Sequence, residues 1–372
     1  MSKSVWFVLD VRYPTEKAYG VTTGFTAKAV EGIGNYNVTL IAPKIDKNLE
    51  EIIKTIEVKI PFFNSRHREF KRDKISYNLG KLLYPMKLMF IIKRKNSIIW
   101  LRDIRMALIF SFLGYSVICE IHRTPSASSK IELNFLQIMP RITLVLISEY
   151  LRDKLGIKIT NSVIAGMAVN KNELLDTKQT SGSGQFIVGY IGSSHSSGNK
   201  LSIKVVLEAA SALELIDKSI KFKFIGPQIS DYDQLTINSL PKNVEFLGRI
   251  SRFDVIKEID KFDVGLVIYP DTDYFLDSFP IKIVEYAARH IPIVASNTRA
   301  NKRILKNHKA LYFNLDASSS LTECIIRVAQ DKKIAESISN NAFEWVKFLT
   351  YENRAIKVLS KADPKWAGSC ER

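Results

Sequence analysis

The stretch Asp277–Ser296, DSFPIKIVEYAARHIPIVAS, predicts a helix followed directly by a buried strand. Proline is favoured in the first turn of a helix, where its missing N–H has no partner, so Pro280 marks a helix start with Asp277 or Ser278 near the cap. The helix is predicted over 280–289 and the strand over 292–295. Because an apolar run at 263–268 precedes the stretch, the region is predicted to form a β-α-β unit.

The same alternation of short apolar runs and helical periodicity continues along the chain, which favours parallel sheets. Residues 176–185 are rich in Gly and Ser and are typical of a flexible connector. We therefore predict an α/β protein with two doubly wound domains, 1–177 and 186–350, that face a cleft. Predicted strands are 5–10, 37–42, 56–60, 98–101, 116–121, 143–147, 186–192, 221–226, 243–247, 263–268 and 292–295. Predicted helices are 22–33, 77–93, 103–113, 149–155, 201–215, 253–261, 280–289 and 321–330.

Composition places the chain among globular proteins, with 372 residues, 46% apolar and 25% charged. A net charge of +16 favours anionic partners. The alternative, which has equal weight, is that the charge reflects a Lys-, Ile- and Asn-rich composition and has no functional meaning. No nucleic-acid-binding motif is present in the sequence, so we predict no nucleic-acid partner. Three scattered cysteines and no secretory signal pattern indicate a cytoplasmic protein, or one peripheral on the inner face of a membrane.

The predicted helix start at Pro280 suits a nucleoside diphosphate. In open α/β sheets ligands bind at the carboxyl ends of the strands, and a helix N-terminus there binds phosphate. Lys282 adds a full charge in the first turn, and Glu285, about one turn further in, can accept hydrogen bonds from a ribose diol. The alternative is an ordinary amphipathic helix with a solvated Lys and Glu, which these residues alone favour.

Segments at other strand ends favour the nucleotide-binding interpretation over the ordinary amphipathic helix. The string 262–270, FDVGLVIYP, followed by the opening stretch, resembles the C-terminal domain of the GT-B glycosyltransferases, in particular the large retaining family with a Glu-x7-Glu motif (glycosyl transferases group 1, family 4-like). Similar segments are 16–20 (EKAYG), 119–122 (CEIH), 147–150 (ISEY), 186–193 (FIVGYIGS), 200–209 (KLSIKVVLEA), 222–226 (FKFIG) and 244–249 (VEFLGR). The resemblance implies a GT-B fold of two Rossmann-like domains, with a C-terminal helix within 351–372 that crosses back to the N-terminal domain.

The resemblance also implies an activity. It indicates a metal-independent, retaining hexosyltransferase that moves a sugar from a UDP- or GDP-sugar to a hydroxyl of a glycan or lipid-linked acceptor, in cell-surface polysaccharide synthesis. No cofactor is expected beyond the nucleotide-sugar co-substrate. An impaired module that binds sugar or nucleotide as an accessory protein is the alternative.

Individual residues follow from the matched motifs. The family's Arg after the glycine turn is absent, because the chain reads Gly192-Ser-Ser-His195, and Asp277 stands where the family usually has Glu. The predicted catalytic residues are His122, Lys200 and Asp277. The predicted donor-binding residues are Gly192, Ser193, Gly226, Arg249, Ser278, Ile281, Lys282 and Glu285. The predicted acceptor-side residues are Glu16, Lys17, Tyr19 and Gly20.

Two further features bear on metal binding and on membrane binding. Asp271-Thr-Asp273 matches the metal-diphosphate signature of the other glycosyltransferase fold, but it falls late in the chain, and we predict no metal site. The segment 64–105 carries twelve Lys and Arg against three acidic residues, with apolar residues between them. Such a stretch can lie on an anionic membrane surface, although a core-facing helix with a solvated outer side is the favoured alternative.

Overall fold

The structure is a computed structural model that describes residues 3–13, 18–45, 53–59, 74–178, 184–193, 195–196, 199–200, 203–232 and 240–364, without the side chains of 18, 74–78, 81, 195–196 and 199–200. The chain divides into two compact units. The first comprises residues 1–168 and 351–372, and the second comprises residues 169–350.

The first unit is built on a parallel sheet of seven described strands in the order β3-β2-β1-β4-β5-β6-β7. This order runs outward in both directions from β1, as expected of a doubly wound sheet. The strands are β1 (Lys3–Val8), β2 (Tyr36–Ala42), β3 (Thr55–Glu57), β4 (Ser97–Leu101), β5 (Ser116–Ile121), β6 (Ile142–Leu146) and β7 (Ser162–Ile164). The helices are α1 (Ala18–Gly32), α2 (Lys74–Met89), α3 (Ile104–Phe112), α4 (Ala127–Leu136) and α5 (Glu149–Lys154), with a 3-10 turn at Ile159–Asn161.

The second unit repeats the same plan in a six-stranded parallel sheet, ordered β12-β11-β8-β13-β14-β15. Its strands are β8 (Phe186–Ile191), β11 (Ile220–Ile225), β12 (Val244–Gly248), β13 (Val264–Val267), β14 (Ile293–Ser296) and β15 (Leu311–Phe313), beside a small hairpin of β9 (His195–Ser196) and β10 (Asn199–Lys200). The helices are α6 (Lys204–Ile216), α7 (Arg252–Ile259), α8 (Asp273–Leu276), α9 (Ile281–Ala287), α10 (Arg299–Leu305), α11 (Ser318–Gln330) and α12 (Lys332–Val346), with 3-10 turns at Lys171–Glu173 and Ile229–Asp231.

Helix α13 (Tyr351–Ala362) follows the second unit in the chain but packs within the first. Its buried residues Tyr351, Ala355, Val358 and Leu359 join the core formed by α1 and the central strands. This four-residue periodicity explains the helix, because one apolar stripe covers the face of α1.

The two parallel sheets confirm the predicted α/β class, and a strand is present at each of the eleven predicted positions, with the same bounds for β5 and shifted ends for the others. Helices α4, α8, α10 and α12 were not among the predicted helices. Helix α4 has a polar sequence with only Leu133 and Leu136 buried, and Ser126 caps it by accepting from Ser129 N at 3.4 Å. The structure divides the chain between residues 168 and 169, and within the second unit Leu175 N donates to Ala288 O at 2.9 Å. Among the described residues, no helix is long and apolar enough to cross a membrane.

Candidate active site

The strand order of the second unit fixes where a ligand can bind. The chain leaves β8 in one direction toward β11 and returns on the other side at β13, so a crevice opens beyond the carboxyl ends of β8 and β13. Gly192 follows β8, and residues 268–280 follow β13. These are the two loops that the sequence predicted for the donor.

The glycine turn after β8 is held by backbone contacts. Gly192 N donates to Ile225 O at 3.0 Å, and Gly226 N donates to Gly248 O at 2.6 Å. Gly226 has φ +104°, and a Cβ at this position would collide with Gly192 O. Three strand ends therefore meet through bare backbone, and the lack of side chains lets a ligand approach the backbone closely.

Lys282 lies directly against this turn. Its side chain is 5% exposed, and its Nζ lies 3.9 Å from the ring centroid of Tyr190 and 5.2 Å from that of Tyr269. A Cβ on Gly192 would stand 2.8 Å from Nζ. Within the described part of the chain, Nζ has no hydrogen-bond acceptor. The aromatic faces attract the ammonium but cannot replace the hydrogen bonds that it loses on burial.

Burial lowers the pKa of Lys282 to about 7, and the nearby Glu285 carboxylate opposes the shift only in part. The sequence predicted a fully charged lysine in an open first turn. The structure instead buries the ammonium, so its charge at neutral pH depends on what binds beside it.

Glu285 lies one turn further along α9 and is 2% exposed. Its Oε1 accepts a short hydrogen bond from Arg252 Nη1. Arg252 also pairs with Glu173, through Nη2 and Oε2 at 3.3 Å, and Arg289 binds the same Glu173 oxygen at 3.0 Å. Sequence reasoning assigned Glu285 to the donor but gave Arg252 no role. Its position at the start of the helix that follows Gly248 was the available signal.

The cap predicted for α9 is wrong. Pro280 occupies the N-cap position itself, and no side chain caps the helix. Ser278 Oγ instead donates to Tyr274 O at 2.9 Å, and Asp277, 4% exposed, ends the short helix α8. Ile281 and Lys282 begin α9, where the first amides have no intrahelical partner.

Ser193, Arg249 and Lys200 are the other residues of the second unit that the sequence predicted for the donor site. Ser193 follows Gly192 and is exposed, and its carbonyl accepts from Tyr190 Oη at 3.3 Å. Arg249 is exposed three residues before Arg252. Lys200 lies in β10, which pairs antiparallel with β9, and its side chain lies outside the described residues.

Asp271 and Asp273, the Asp-x-Asp pair, are bound by an arginine. Arg299 Nε lies 2.9 Å from Asp271 Oδ1, and Arg299 Nη2 lies 3.7 Å from Asp273 Oδ1. Among the described residues, no group of three or more acidic, His or Cys side chains is arranged to hold a metal ion.

In the first unit, the predicted acceptor-side residues Tyr19 and Gly20 lie in the first turn of α1, which follows β1. Arg102, after β4, stacks over the Tyr19 ring at 4.3 Å and donates to Thr22 Oγ1 at 2.8 Å. Gly20 is buried in the first turns of α1. Glu16 and Lys17 lie outside the described residues.

His122 follows β5 and is ordered by a buried carboxylate. Its Nε2 lies 2.7 Å from Glu120 Oε2, and Glu120 is 5% exposed. Burial, together with the Arg102 guanidinium, lowers the pKa of His122 to about 4 although Glu120 opposes this shift. Arg354 and Arg102 hold the pKa of Glu120 well below its usual range despite its burial. The carboxylate can only accept, so a neutral His122 donates through Nε2 and keeps Nδ1 as an acceptor for a hydroxyl.

Part of the second unit matches a known protein family by sequence. Residues 176–345 match the sequence profile of the family described as glycosyl transferases group 1, which covers most of the second unit and confirms the predicted resemblance there. No curated protein sequence matches the chain.

Solved structures match over the whole chain at low identity. A glycosyltransferase from Rickettsia africae is 17% identical with a TM-score of 0.74, covering 98% of each chain. The sucrose-phosphate synthase of Thermosynechococcus elongatus is 14% identical with a TM-score of 0.72, covering 98% of this chain and 100% of that one. HepE from Anabaena, solved with UDP and glucose, is 15% identical with a TM-score of 0.66, covering 99% of each chain. These likenesses confirm the predicted GT-B fold.

Proposed function

We propose that the protein transfers a sugar from a UDP- or GDP-sugar to a hydroxyl of a glycan or lipid-linked acceptor, with retention of anomeric configuration. The observation that carries the proposal is the ammonium of Lys282, buried against Gly192 with no acceptor among the described residues. A buried cation of this kind is stabilised by an anion that enters the crevice. HepE, which shares the fold, was also solved with UDP-glucose.

The donor diphosphate is assigned to the glycine turn and the start of α9. Cleaving the sugar–phosphate bond places negative charge on the departing diphosphate, and preorganised cations and amides stabilise charge that develops in the transition state. Lys282 supplies the cation, and the first amides of α9, at Ile281 and Lys282, supply the N–H donors. Gly192 and Gly226, whose own N–H groups are engaged, let the phosphates approach the backbone closely. Lys200 and Arg249 are assigned to the same phosphates, where the family's missing arginine would stand.

The ribose is assigned to Glu285. Arg252 engages Oε1, and no described residue hydrogen-bonds Oε2, which leaves that oxygen to accept from a hydroxyl. Arg252 orients the carboxylate before the nucleotide binds. Asp277 and Ser278 are assigned to the donor sugar.

The reaction is assigned to same-face attack. The C1–O bond to the diphosphate breaks and the acceptor oxygen bonds to C1 on the same face, while its proton passes to an oxygen of the leaving diphosphate. His122, neutral and donating to Glu120, orients a sugar hydroxyl through Nδ1. Tyr19 and Gly20, with Glu16 and Lys17, are assigned to the acceptor. The proposed setting is cell-surface polysaccharide synthesis on the cytoplasmic side of the membrane.

No metal is assigned to the reaction, and the nucleotide-sugar is the sole co-substrate proposed. Both Asp-x-Asp carboxylates already pair with Arg299. A guanidinium at this distance competes with a cation for the same oxygens.

A thermal-shift panel of UDP, GDP, ADP and their sugars tests the donor. At about 100 times its Kd, the correct nucleotide stabilises the folded chain by about 2.7 kcal/mol. Glu285→Ala is expected to abolish this shift. The control Glu336→Ala removes an exposed helical carboxylate, 57% accessible, and is expected to leave it unchanged. A full shift in Glu285→Ala would contradict the ribose assignment.

A transfer assay with the identified donor tests the reaction class and the metal. Transfer is expected to persist in EDTA, and loss that Mn²⁺ restores would overturn metal independence. The accessory-protein alternative is favoured by the shorter Asp277 and the missing arginine after Gly192. Nucleotide binding without transfer or donor hydrolysis would establish that alternative.

A further inference from the structure

Helix α2 and the turn that follows it present an apolar face to solvent. Tyr84, Leu88 and Ile92 recur every four residues and are at most 1% exposed, so they fix the side of the helix that packs inward. The opposite side carries large apolar residues that are at least 37% exposed: Leu79, Leu82, Met86, Met89, Phe90 and Ile91. Phe90 is 94% exposed. A contiguous exposed apolar face of this kind is typical of a surface that binds a partner or a membrane.

The charges around this face have one sign. The sequence contains no Asp or Glu from Lys74 to Arg102, and seven Lys or Arg. Lys87, Lys93, Arg94 and Lys95 are exposed beside or just beyond the apolar side chains. Residues 64–73 of the predicted basic segment 64–105 lie outside the described residues.

An open cavity of about 610 Å³ lies next to the end of this segment, where β1, β4 and β5 begin. It is therefore on the opposite edge of the sheet from His122. Four cations line it, namely Lys3, Arg94, Lys95 and Arg141, with Asp363 as the acidic residue in its wall. Asp363 is paired with Lys3.

The other three cations have no carboxylate partner among the described residues. Arg94 lies over Gly114, where an added Cβ would stand 3.5 Å from its Nη1, and Arg141 Nη1 donates weakly to Gly114 O at 3.4 Å. Both guanidinium groups therefore reach one point of the cavity wall. Guanidinium groups in this arrangement bind phosphate oxygens in a two-pronged geometry.

We propose that this face docks on an anionic lipid bilayer, with the exposed side chains of 79–91 entering the acyl boundary and the basic cavity holding a lipid phosphate. The combination selects a membrane over a protein partner, because protein interfaces are depleted in lysine at their centres, whereas basic amphipathic helices bind anionic lipid surfaces. The proposal is independent of the donor site in the second unit.

Co-sedimentation of the full chain with sucrose-loaded vesicles tests the proposal. Binding is expected to vesicles of phosphatidylcholine with about one-third phosphatidylglycerol, and to fall sharply in pure phosphatidylcholine or at high salt. Arg94→Gln and Lys95→Gln are each expected to weaken binding about fivefold, and Phe90→Ser about tenfold or more. Phe90, Arg94 and Lys95 are all exposed, so these variants are expected to fold.

Matched controls lie in the second unit. Leu215→Ser removes an apolar side chain that is 89% exposed, and Lys332→Gln removes a lysine that is 88% exposed, and both are expected to bind like the parent chain. Equal binding to neutral and anionic vesicles, or no binding to either, would overturn the proposal. So would full binding by Phe90→Ser and Lys95→Gln, or displacement of the vesicles by millimolar inorganic phosphate, which would make the cavity a site for a free anion.

Discussion

At the scale of single residues, Lys282 links stability to ligand binding. Its pKa is lowered to about 7 by burial, whereas the unfolded value is 10.5. Below pH about 7 both states carry the proton, and the folded state bears the full cost of the buried charge. Between about pH 7 and 10.5 the unfolded state binds more protons, so the free energy of unfolding rises with pH across that window.

Lys282→Met is therefore expected to stabilise the unliganded chain at pH 6 by several kcal/mol, since each pKa unit corresponds to about 1.4 kcal/mol. The gain should shrink as the pH approaches 10. The same variant should weaken nucleotide binding at least tenfold, because the anion loses its buried partner. Denaturant unfolding and calorimetric titration measure the two effects.

Lys332→Met, which removes an exposed lysine at the start of α12, serves as the control and should change neither quantity. For the parent chain, nucleotide affinity should fall as the pH rises above 7, up to tenfold per unit, because binding then requires proton uptake by Lys282. Affinity that is flat from pH 7 to 9 would contradict contact between Lys282 and the diphosphate.

Lys282 and Glu285 could be assigned to one site from the sequence, because Pro280 indicates a helix start. Lys282 then lies in the first turn, and Glu285 lies about one turn further in. Sequence reasoning could not find Arg252 or Tyr190. Arg252 reaches Glu285 from 33 positions earlier, and Tyr190 lies under Lys282 only because β8 and α9 are neighbours in the folded unit. Such contacts depend on the order of the strands, which no local pattern specifies.

At the scale of elements, the ends of β8, β11 and β12 meet through backbone alone. Gly226 has φ +104° and leaves no room for a Cβ beside Gly192 O. Gly226→Ala is expected to destabilise the second unit by at least about 2 kcal/mol, because it adds both backbone strain and a backbone collision. Thermal unfolding should show a fall of roughly 4–8 °C.

Gly32→Ala is the matched control, since a Cβ at Gly32 in helix α1 meets nothing within 4 Å. It should be neutral or stabilise the chain by about 0.5–1 kcal/mol. If Gly226→Ala unfolded at the same temperature as Gly32→Ala, the close approach of the strand ends would be contradicted.

The elements themselves were largely predictable. The strands of both sheets are apolar or β-branched and bounded by Gly or polar turns, which is the pattern of parallel strands buried on both faces. The unpredicted strands β7 and β15 have three residues each, and of the unpredicted helices α8 has four residues and α4 buries only two side chains. Helix α12, with 15 residues, carries a helical apolar pattern that the prediction missed. Helix α2 was predicted as basic and amphipathic, but which of its apolar residues face inward became clear only from Tyr84 and Leu88 in the fold.

At the scale of the whole molecule, the first unit is discontinuous in sequence. Residues 1–168 and 351–372 form one compact body, so its folding requires a contact between the two ends of the chain. The family resemblance predicted a returning helix within 351–372. It did not predict what holds the helix, because the partners are separated by as many as 328 positions.

Arg354 on α13 is that connection. It donates to Glu120 Oε1 at 2.9 Å, to Gly166 O at 3.1 Å and to Thr26 Oγ1 at 3.3 Å, so one guanidinium ties α13 to β5, α1 and the segment after β7. Glu120 also accepts from Trp100 Nε1 at 2.7 Å. Arg354, on α13, therefore holds the Glu120 carboxylate that orients His122.

Arg354→Met is expected to destabilise the first unit by about 3 kcal/mol, because the buried Glu120 carboxylate loses one of its two arginine partners and keeps Arg102. Its control, Lys357→Met, removes an exposed charge from the same helix and should have little effect. Denaturant unfolding followed by hydrogen exchange should show protection lost first in residues 1–168, while the thermal shift caused by the nucleotide persists because the second unit holds its proposed site. Loss of both together, or stability equal to that of Lys357→Met, would show that Arg354 does not connect the ends of the chain in this way.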